Sequence, residues 1–238
     1  MSDLIGEERL DAEERSRVYV VIAAYNEARS IARVVEELRR RWPNVIVVDD
    51  GSDDDTGARA REAGAVVLTH AINRGQGAAL QTGMTYSLGA GAHVVVTFDA
   101  DGQHNPDDLD SMAAPVLAGE VHATLGSRFL GGEAEIPAVR RMVLRAAIVF
   151  TRITSGMALT DTHNGLRALS REVAEGIDLR LDRMAHASEI LDQIGKTGLP
   201  YLEIPVHIRY TEYSMAKGQS SANAIRVAAD YLVDKLLR

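Results

Sequence analysis

Cysteine is absent from the 238-residue chain. That excludes disulfides, a thiolate nucleophile and cysteine-based zinc sites, and leaves the redox compartment open. A surplus of positive charge is absent too. The net charge of −8 argues against general nucleic-acid binding, which needs a basic surface. It leaves room for a local basic pocket that takes an anionic substrate. No run of about 18 apolar residues occurs, so no transmembrane helix is expected. The longest apolar stretch beside basic residues, 142-MVLRAAIVF-150, is too short to span a bilayer. The first residues, MSDLIGEERLDAEERSR, are acidic and lack the apolar core of a signal peptide. Internal repeats and low-complexity segments are missing as well.

What is present is ordinary for a soluble globular protein: 46% hydrophobic and 25% charged residues. Residues 1–16 read as a charged, flexible leader, a solvated tail with room for a short helix. Residues 17–238 read as one α/β domain, with a change of pattern near residue 127 dividing it into halves 17–127 and 128–238. In the first half β-forming runs alternate with helical ones. Strands are expected at 18–23, 45–48, 65–69, 94–98 and 121–126. Helices are expected at 28–41, after residue 53, at 78–88 and at 106–118. Ser52 or Asp53 is expected to cap the second helix and Asn105, before Pro106, the fourth. This order predicts a parallel, right-handed sheet with ligands bound outside the carboxyl ends of its strands. In the second half the spacing predicts a basic helix over 139–155, a short strand within 160–172, a helix over 184–196, a strand over 201–209 and a C-terminal helix over 222–236.

Polar clusters fall at those strand ends: Tyr25-Asn26-Glu27, Asp49-Asp50, Asn73-Arg74 and Asp99-Ala100-Asp101. The last one follows Val94-Val95-Val96-Thr97-Phe98, a run that suits a strand buried on both faces. Residues i and i+2 of an extended chain point to one side. Asp99 and Asp101 therefore present two carboxylates together. Such a pair suits a hard divalent ion with positions open for phosphate, or it is a solvated acidic turn.

Several stretches together resemble a family 2 glycosyltransferase of the GT-A fold: 22-IAAYNE-27, 47-VVDDGSDDDT-56, 73-NRGQGAAL-80, 99-DADGQH-104 and 126-GSRF-129. Three more, 161-DTHNGLRAL-169, 188-SEIL-191 and 204-IPVHIRY-210, resemble the branch of dolichyl- or polyprenyl-phosphate sugar synthases. The resemblance covers about residues 18 to 221. It implies a three-layer α/β/α architecture with a mainly parallel sheet. It places Ala23, Tyr25, Glu27 and Asp50 around the nucleotide, with Asp49 supporting the loop and Ala100 against the donor. It puts Mg2+ or Mn2+ on Asp99, Asp101 and Gln103, with His104 either packing or ligating. Arg128, Arg140 and Arg209 would face phosphate oxygens, for which guanidinium forks are suited. Lys217 would reach the donor from a closing loop, and Arg74 either contacts a phosphate or only turns the chain.

The implied reaction is transfer of a hexose from a GDP- or UDP-sugar, a metal-dependent step with inversion. The implied acceptor is polyprenyl phosphate; a soluble sugar, glycerate or glycan hydroxyl is the alternative. A phosphomonoester carries roughly −1.5 to −2 charge near neutral pH and needs cationic positioning more than a base. Asp161 and Glu189 then orient arginines or act as acids. The usual acidic catalytic pair is missing after residue 127, which favours the phosphate. Residues 139–156 either lie on a membrane through Arg140, Arg141, Arg145 and Arg152 or form an internal helix. A cytoplasmic protein, peripheral on the membrane and compatible with a homodimer, follows from these expectations. The chain carries no transmembrane hairpin, unlike the membrane-bound members of the branch. A nucleotidyltransferase would carry a Gly-rich basic loop after the first strand, where this chain has Ala-Ala-Tyr-Asn-Glu. A non-catalytic nucleotide-sugar binder would have no need of the intact acidic and arginine set.

Overall fold

Apolar strands flanked by amphipathic helices have to bury both faces of their sheet, and they do so here in three layers. The computed structural model describes residues 10–130, 156–162, 164–180 and 185–209. A single sheet holds seven strands: β1 (Val18–Ala24), β2 (Asn44–Asp49), β3 (Val66–Thr69), β4 (Val94–Asp99), β5 (Ala123–Ser127), β6 (Arg167–Ser170) and β7 (Tyr201–Pro205). Their order across the sheet is β3-β2-β1-β4-β6-β5-β7. Helices α2 (Ile31–Arg39), α3 (Thr56–Glu62) and α5 (Leu109–Leu117) cover one face. Helices α4 (Gln76–Gly89), α6 (Arg171–Gly176) and α7 (Ala185–Thr197) cover the other. The expected basic helix over 139–155 and the C-terminal helix over 222–236 lie outside the described residues.

The central strands are buried on both sides, as their continuous Val and Ile runs require. Val20, Ile22, Val47, Val96 and Phe98 pack against Ile31, Val35, Leu38 and Met112. Val21, Ile46, Val95 and Leu169 pack against Leu80, Met84, Ile190 and Ile194. The spacing of Ile31, Val34, Val35 and Leu38 puts all four on the buried side of α2. The end of the leader expected to be flexible is instead ordered: it forms α1 (Ala12–Ser16), whose capping box joins Asp11 and Glu14. Leu10 before it is buried, and Arg15 pairs with Asp110 at 3.1 Å.

The five strands of the first half run parallel to one another, as expected, though not all side by side. Strand β6 sits between β4 and β5 and is antiparallel to both. Its four residues are too few to carry a readable period, and its partners are fixed by long-range pairing. Neither Ser52 nor Asp53 caps α3, which starts after Asp55. The Ser52 hydroxyl instead accepts from the Asn26 N–H at 3.0 Å, and the Asp53 N–H donates to Asn26 Oδ1 at 2.9 Å. Asn105 does cap, accepting from the Asp107 N–H.

The strand order reverses between β1 and β4. Their C-terminal ends therefore flank the crevice where a ligand is received. Because β6 runs antiparallel, its first residue, not its last, lies at that same end.

Trp42 is the single tryptophan and is fully buried beyond α2. Trp42→Ala is expected to lower stability by about 3–5 kcal/mol, measured by chemical denaturation followed by circular dichroism. The chain after β7 is tied down differently. The His207 N–H donates to Asp108 Oδ2 at 2.7 Å, and its ring Nδ1 lies 2.9 Å from Asp108 Oδ1. The hydrogen bond to Asp108, and then its charge, hold the imidazole above its usual value. The stabilisation is complete below the unfolded-state value near 6.5 and is lost as pH rises through the raised folded one. The imidazole is 81% exposed, so the term stays below about 1 kcal/mol. An NMR titration should place the His207 midpoint above 6.5, and Asp108→Asn should bring it down.

Candidate active site

Pairing of β1 with β4 sets Ala23 beside Asp99. The end of β1 and the acidic turn after β4 are thus neighbours by register. Tyr25 follows in the exposed position, and Ala100 is buried under the turn. Asn26 takes a positive φ of 54°, a conformation asparagine tolerates better than most residues. Side chains stitch this loop to the one after β2. The Glu27 N–H donates to Thr56 Oγ1 at 2.8 Å, the Ala28 N–H to Asp54 Oδ2 at 3.2 Å, and the Ser30 hydroxyl to Glu27 Oε2 at 2.9 Å. Asp49 supports the same loop by accepting from the Ser52 N–H at 3.1 Å.

Asp50, expected at the nucleotide, is almost fully buried. Its Oδ1 accepts from the Arg74 N–H at 2.9 Å and lies 2.6 Å from His70 Nδ1. Its Oδ2 accepts from the Gly75 N–H at 2.7 Å. Gly75 provides that N–H from a φ of 91°, which residues with a side chain rarely adopt. His70 is itself held through Nε2 by Thr82 Oγ1 at 2.9 Å. One acceptor position of Oδ2 is left over. The exposed Arg74 shares the turn that Asp50 closes.

At the end of β4, Asp99 Oδ2 lies 2.8 Å from His104 Nε2, and the His104 ring packs edge-on to Phe98. Burial pushes the Asp99 carboxyl up. His104, Arg167 and His186 outweigh it and hold the carboxyl below its usual value. Asp101 behaves oppositely. Burial first, and then the negative charges of Asp99 and Glu27, push it up, although the Gln103 N–H donates to its Oδ1 at 2.9 Å. A divalent cation relieves that repulsion, and Asp99, Asp101 and the Gln103 amide offer it hard oxygen ligands. Among the described residues there is no cluster of three or more His, Cys, Asp or Glu placed to hold a metal. An ion held by Asp99 and Asp101 would take its remaining ligands from Gln103, water or phosphate. The donor set fits Mg2+ or Mn2+.

Arg128 follows β5. Its Nε and Nη2 donate to Asp161 Oδ2 and Oδ1 at 2.6 and 2.8 Å, a bidentate pair with the carboxylate fully buried. Asp161 is seated in turn by its own N–H and that of Thr160, both donating to Glu203. Glu189 accepts from the Arg180 N–H at 3.1 Å. Arg209 reaches the acidic turn by its backbone, donating to the Gln103 carbonyl at 2.8 Å. Its guanidinium is turned to Glu37 and Asn105 instead of Asp99 or Asp101. Arg140 and Lys217 lie outside the described residues.

The model for glycosyl transferase family 2 matches residues 19–177. The chain belongs to that family. This glycosyltransferase is 33% identical over 223 residues to the UDP-N-acetylglucosamine–dolichyl-phosphate N-acetylglucosaminyltransferase of Methanococcus voltae, covering 84% of this chain and 89% of the relative. It is also 33% identical over 236 residues to the polyprenol monophosphomannose synthase of Mycolicibacterium smegmatis, covering 94% and 88%. Glucosyl-3-phosphoglycerate synthase of Mycobacterium tuberculosis, solved with Mn2+, UDP-glucose and phosphoglyceric acid, superposes with a TM-score of 0.66 at 22% identity, covering 93% of this chain and 79% of that one. The fold is GT-A, and the two relatives just described are named as sugar transferases to lipid phosphates.

Four residues around Asp50 and Asp99 were given no role by sequence reasoning. His70 clamps Asp50. Gly165 faces Asp99 across the β4–β6 pairing. Arg167 and His186 add positive charge beside Asp99. The readable signal was a charged residue inside the apolar run 166-LRAL-169. A Cβ on Gly165 would stand 2.5 Å from Asp99 Oδ2 and 2.6 Å from its Oδ1. Gly165→Ala is expected to push the Asp99 carboxylate aside and weaken Mn2+-dependent nucleotide binding by roughly 10-fold or more, measured by calorimetry.

Proposed function

We propose that this glycosyltransferase is a metal-dependent, inverting enzyme that moves a hexose from a GDP- or UDP-sugar to a polyprenyl phosphate. The observation that carries the reading is the pairing of Arg128 with the buried Asp161. Among the described residues of the second half, three buried or half-buried acids hold other groups. Asp161 orients Arg128, Glu203 seats Asp161, and Glu189 accepts from a backbone N–H. A hydroxyl acceptor needs a carboxylate to remove its proton. A phosphate acceptor arrives as an anion and needs an oriented guanidinium. The Arg128–Asp161 pair supports the second kind of chemistry. The names of the lipid-phosphate relatives point the same way.

In this reading Ala23, Tyr25 and Glu27 line the nucleotide pocket, and Asp50 meets base or ribose through the remaining acceptor position of Oδ2. Asp99, Asp101 and Gln103 hold the metal under the donor diphosphate. Mg2+ or Mn2+ bound there offsets the charge that grows on the leaving nucleoside diphosphate. Arg128 aims the acceptor phosphate at C1. An acceptor oxygen forms its bond to C1 as the bond from C1 to the diphosphate oxygen breaks on the opposite side, which inverts the configuration. A lipid acceptor brings the reaction to a membrane surface, with the protein on its cytoplasmic face. Among the described residues no helix is long and apolar enough to cross a membrane.

A second reading keeps the donor site and takes a soluble sugar, glycerate or glycan hydroxyl as acceptor. The structural neighbour solved with phosphoglyceric acid favours it. Turnover with a prenyl phosphate against phosphoglycerate and simple sugars separates the two. The lipid reading expects activity with the prenyl phosphate and none with the matched prenyl alcohol. Asp101→Ala should lower that activity by about 100-fold or more; a variant with wild-type turnover would overturn the metal site. A thermal-shift panel of nucleoside diphosphates with and without Mn2+ identifies the base. A ligand at about 100 times its Kd adds about 2.7 kcal/mol of stability.

A further inference from the structure

Arg167 begins β6 and is 3% exposed. It faces Thr97 across the β4 pairing, two residues before Asp99 on the same strand. Side chains at i and i+2 share a face, and directly paired residues do too. Arg167 therefore stands on the Asp99 side of the sheet, where Asp99 and Asp161 both act on it electrostatically. A guanidinium has five N–H donors, and buried ones are normally satisfied. Among the described residues Arg167 has its electrostatic neighbours and no side-chain hydrogen bond. Burial lowers its pKa to about 10, which leaves it charged at neutral pH.

We propose that Arg167 is a further ligand-binding residue of this site, taking a phosphate oxygen in the cleft between Asp99 and Asp161. This rests on the glycosyltransferase site described above. Arg128 has its fork closed by Asp161, which fixes its direction. Arg167 has its fork open. A planar donor set held in a buried seat beside a metal carboxylate matches an anionic oxygen that arrives with the ligand. The oxygen belongs either to the donor diphosphate or to the acceptor phosphate. The chemistry is shared, and the experiment distinguishes the two.

The test is calorimetry on the wild-type chain, Arg167→Met and Arg167→Lys. One arm uses UDP and GDP with Mn2+, and the other a short prenyl monophosphate. Arg167→Met is expected to weaken one arm by roughly 10- to 100-fold. Arg167→Lys, which keeps the charge and loses the fork, should recover part of that loss. A loss in the first arm places the oxygen on the donor, and a loss in the second on the acceptor. Affinities within about twofold of wild type in both arms overturn the proposal. If Arg167→Met does not fold, Arg167→Lys decides alone: unchanged affinity in both arms overturns it, and a loss in either supports it. Asp101→Ala is the control. If it abolishes Mn2+-dependent binding while both Arg167 variants bind normally, the metal site stands and the Arg167 inference fails. If wild type binds no nucleoside diphosphate with Mn2+, both fall.

Discussion

The site depends on how β6 is seated against β4. Gly165, just before β6, faces Asp99 with no room for a side chain, and its carbonyl accepts from the Thr97 hydroxyl at 2.6 Å. This contact presses the Asp99 carboxylate between the glycine backbone and His104. The same pairing puts Arg167 on the Asp99 side of the sheet. Beyond it Asp161 holds Arg128. Negative and positive groups alternate across the strands from the acidic turn after β4 to Arg128. A one-residue slip of β6 would turn Arg167 to the other face of the sheet, among the apolar side chains packed there.

The donor side is built on a different principle. Its three loops are fixed by short polar side chains bonded to neighbouring backbone. Asn26, Ser52, Asp54 and Thr56 join the loops after β1 and β2, and Asp50 joins β2 to the turn before α4. The pocket is thereby shaped before a ligand arrives, which lowers the ordering cost of binding. Asp50 is part of this scaffold as well as a candidate contact.

The first half was legible because its signals are local. Val and Ile runs give the central strands, 3- and 4-residue spacing gives α2, and the polar breaks mark the strand ends where ligands bind. Asp99, Asp101 and Asp50 were found that way. The method looks at the carboxyl ends of strands. Arg167 escaped it because an antiparallel strand delivers its amino end to the same place. Gly165 escaped because an empty volume leaves no mark in a sequence. Arg209 was placed by motif alone, and the ion pair to Glu37 that turns its guanidinium joins residues far apart in the chain.

The insertion of β6 also imposes an order on assembly. The partners of β4 are β1 and β6, and those of β5 are β6 and β7. A chain emerging from the ribosome has β4 and β5 long before residues 165–170. Until then Val94–Phe98 is an open sheet edge of apolar residues, and β5 has no partner. Such an edge is a template for pairing with another chain. The strand that brings Arg167 beside Asp99 is also the one that covers this edge.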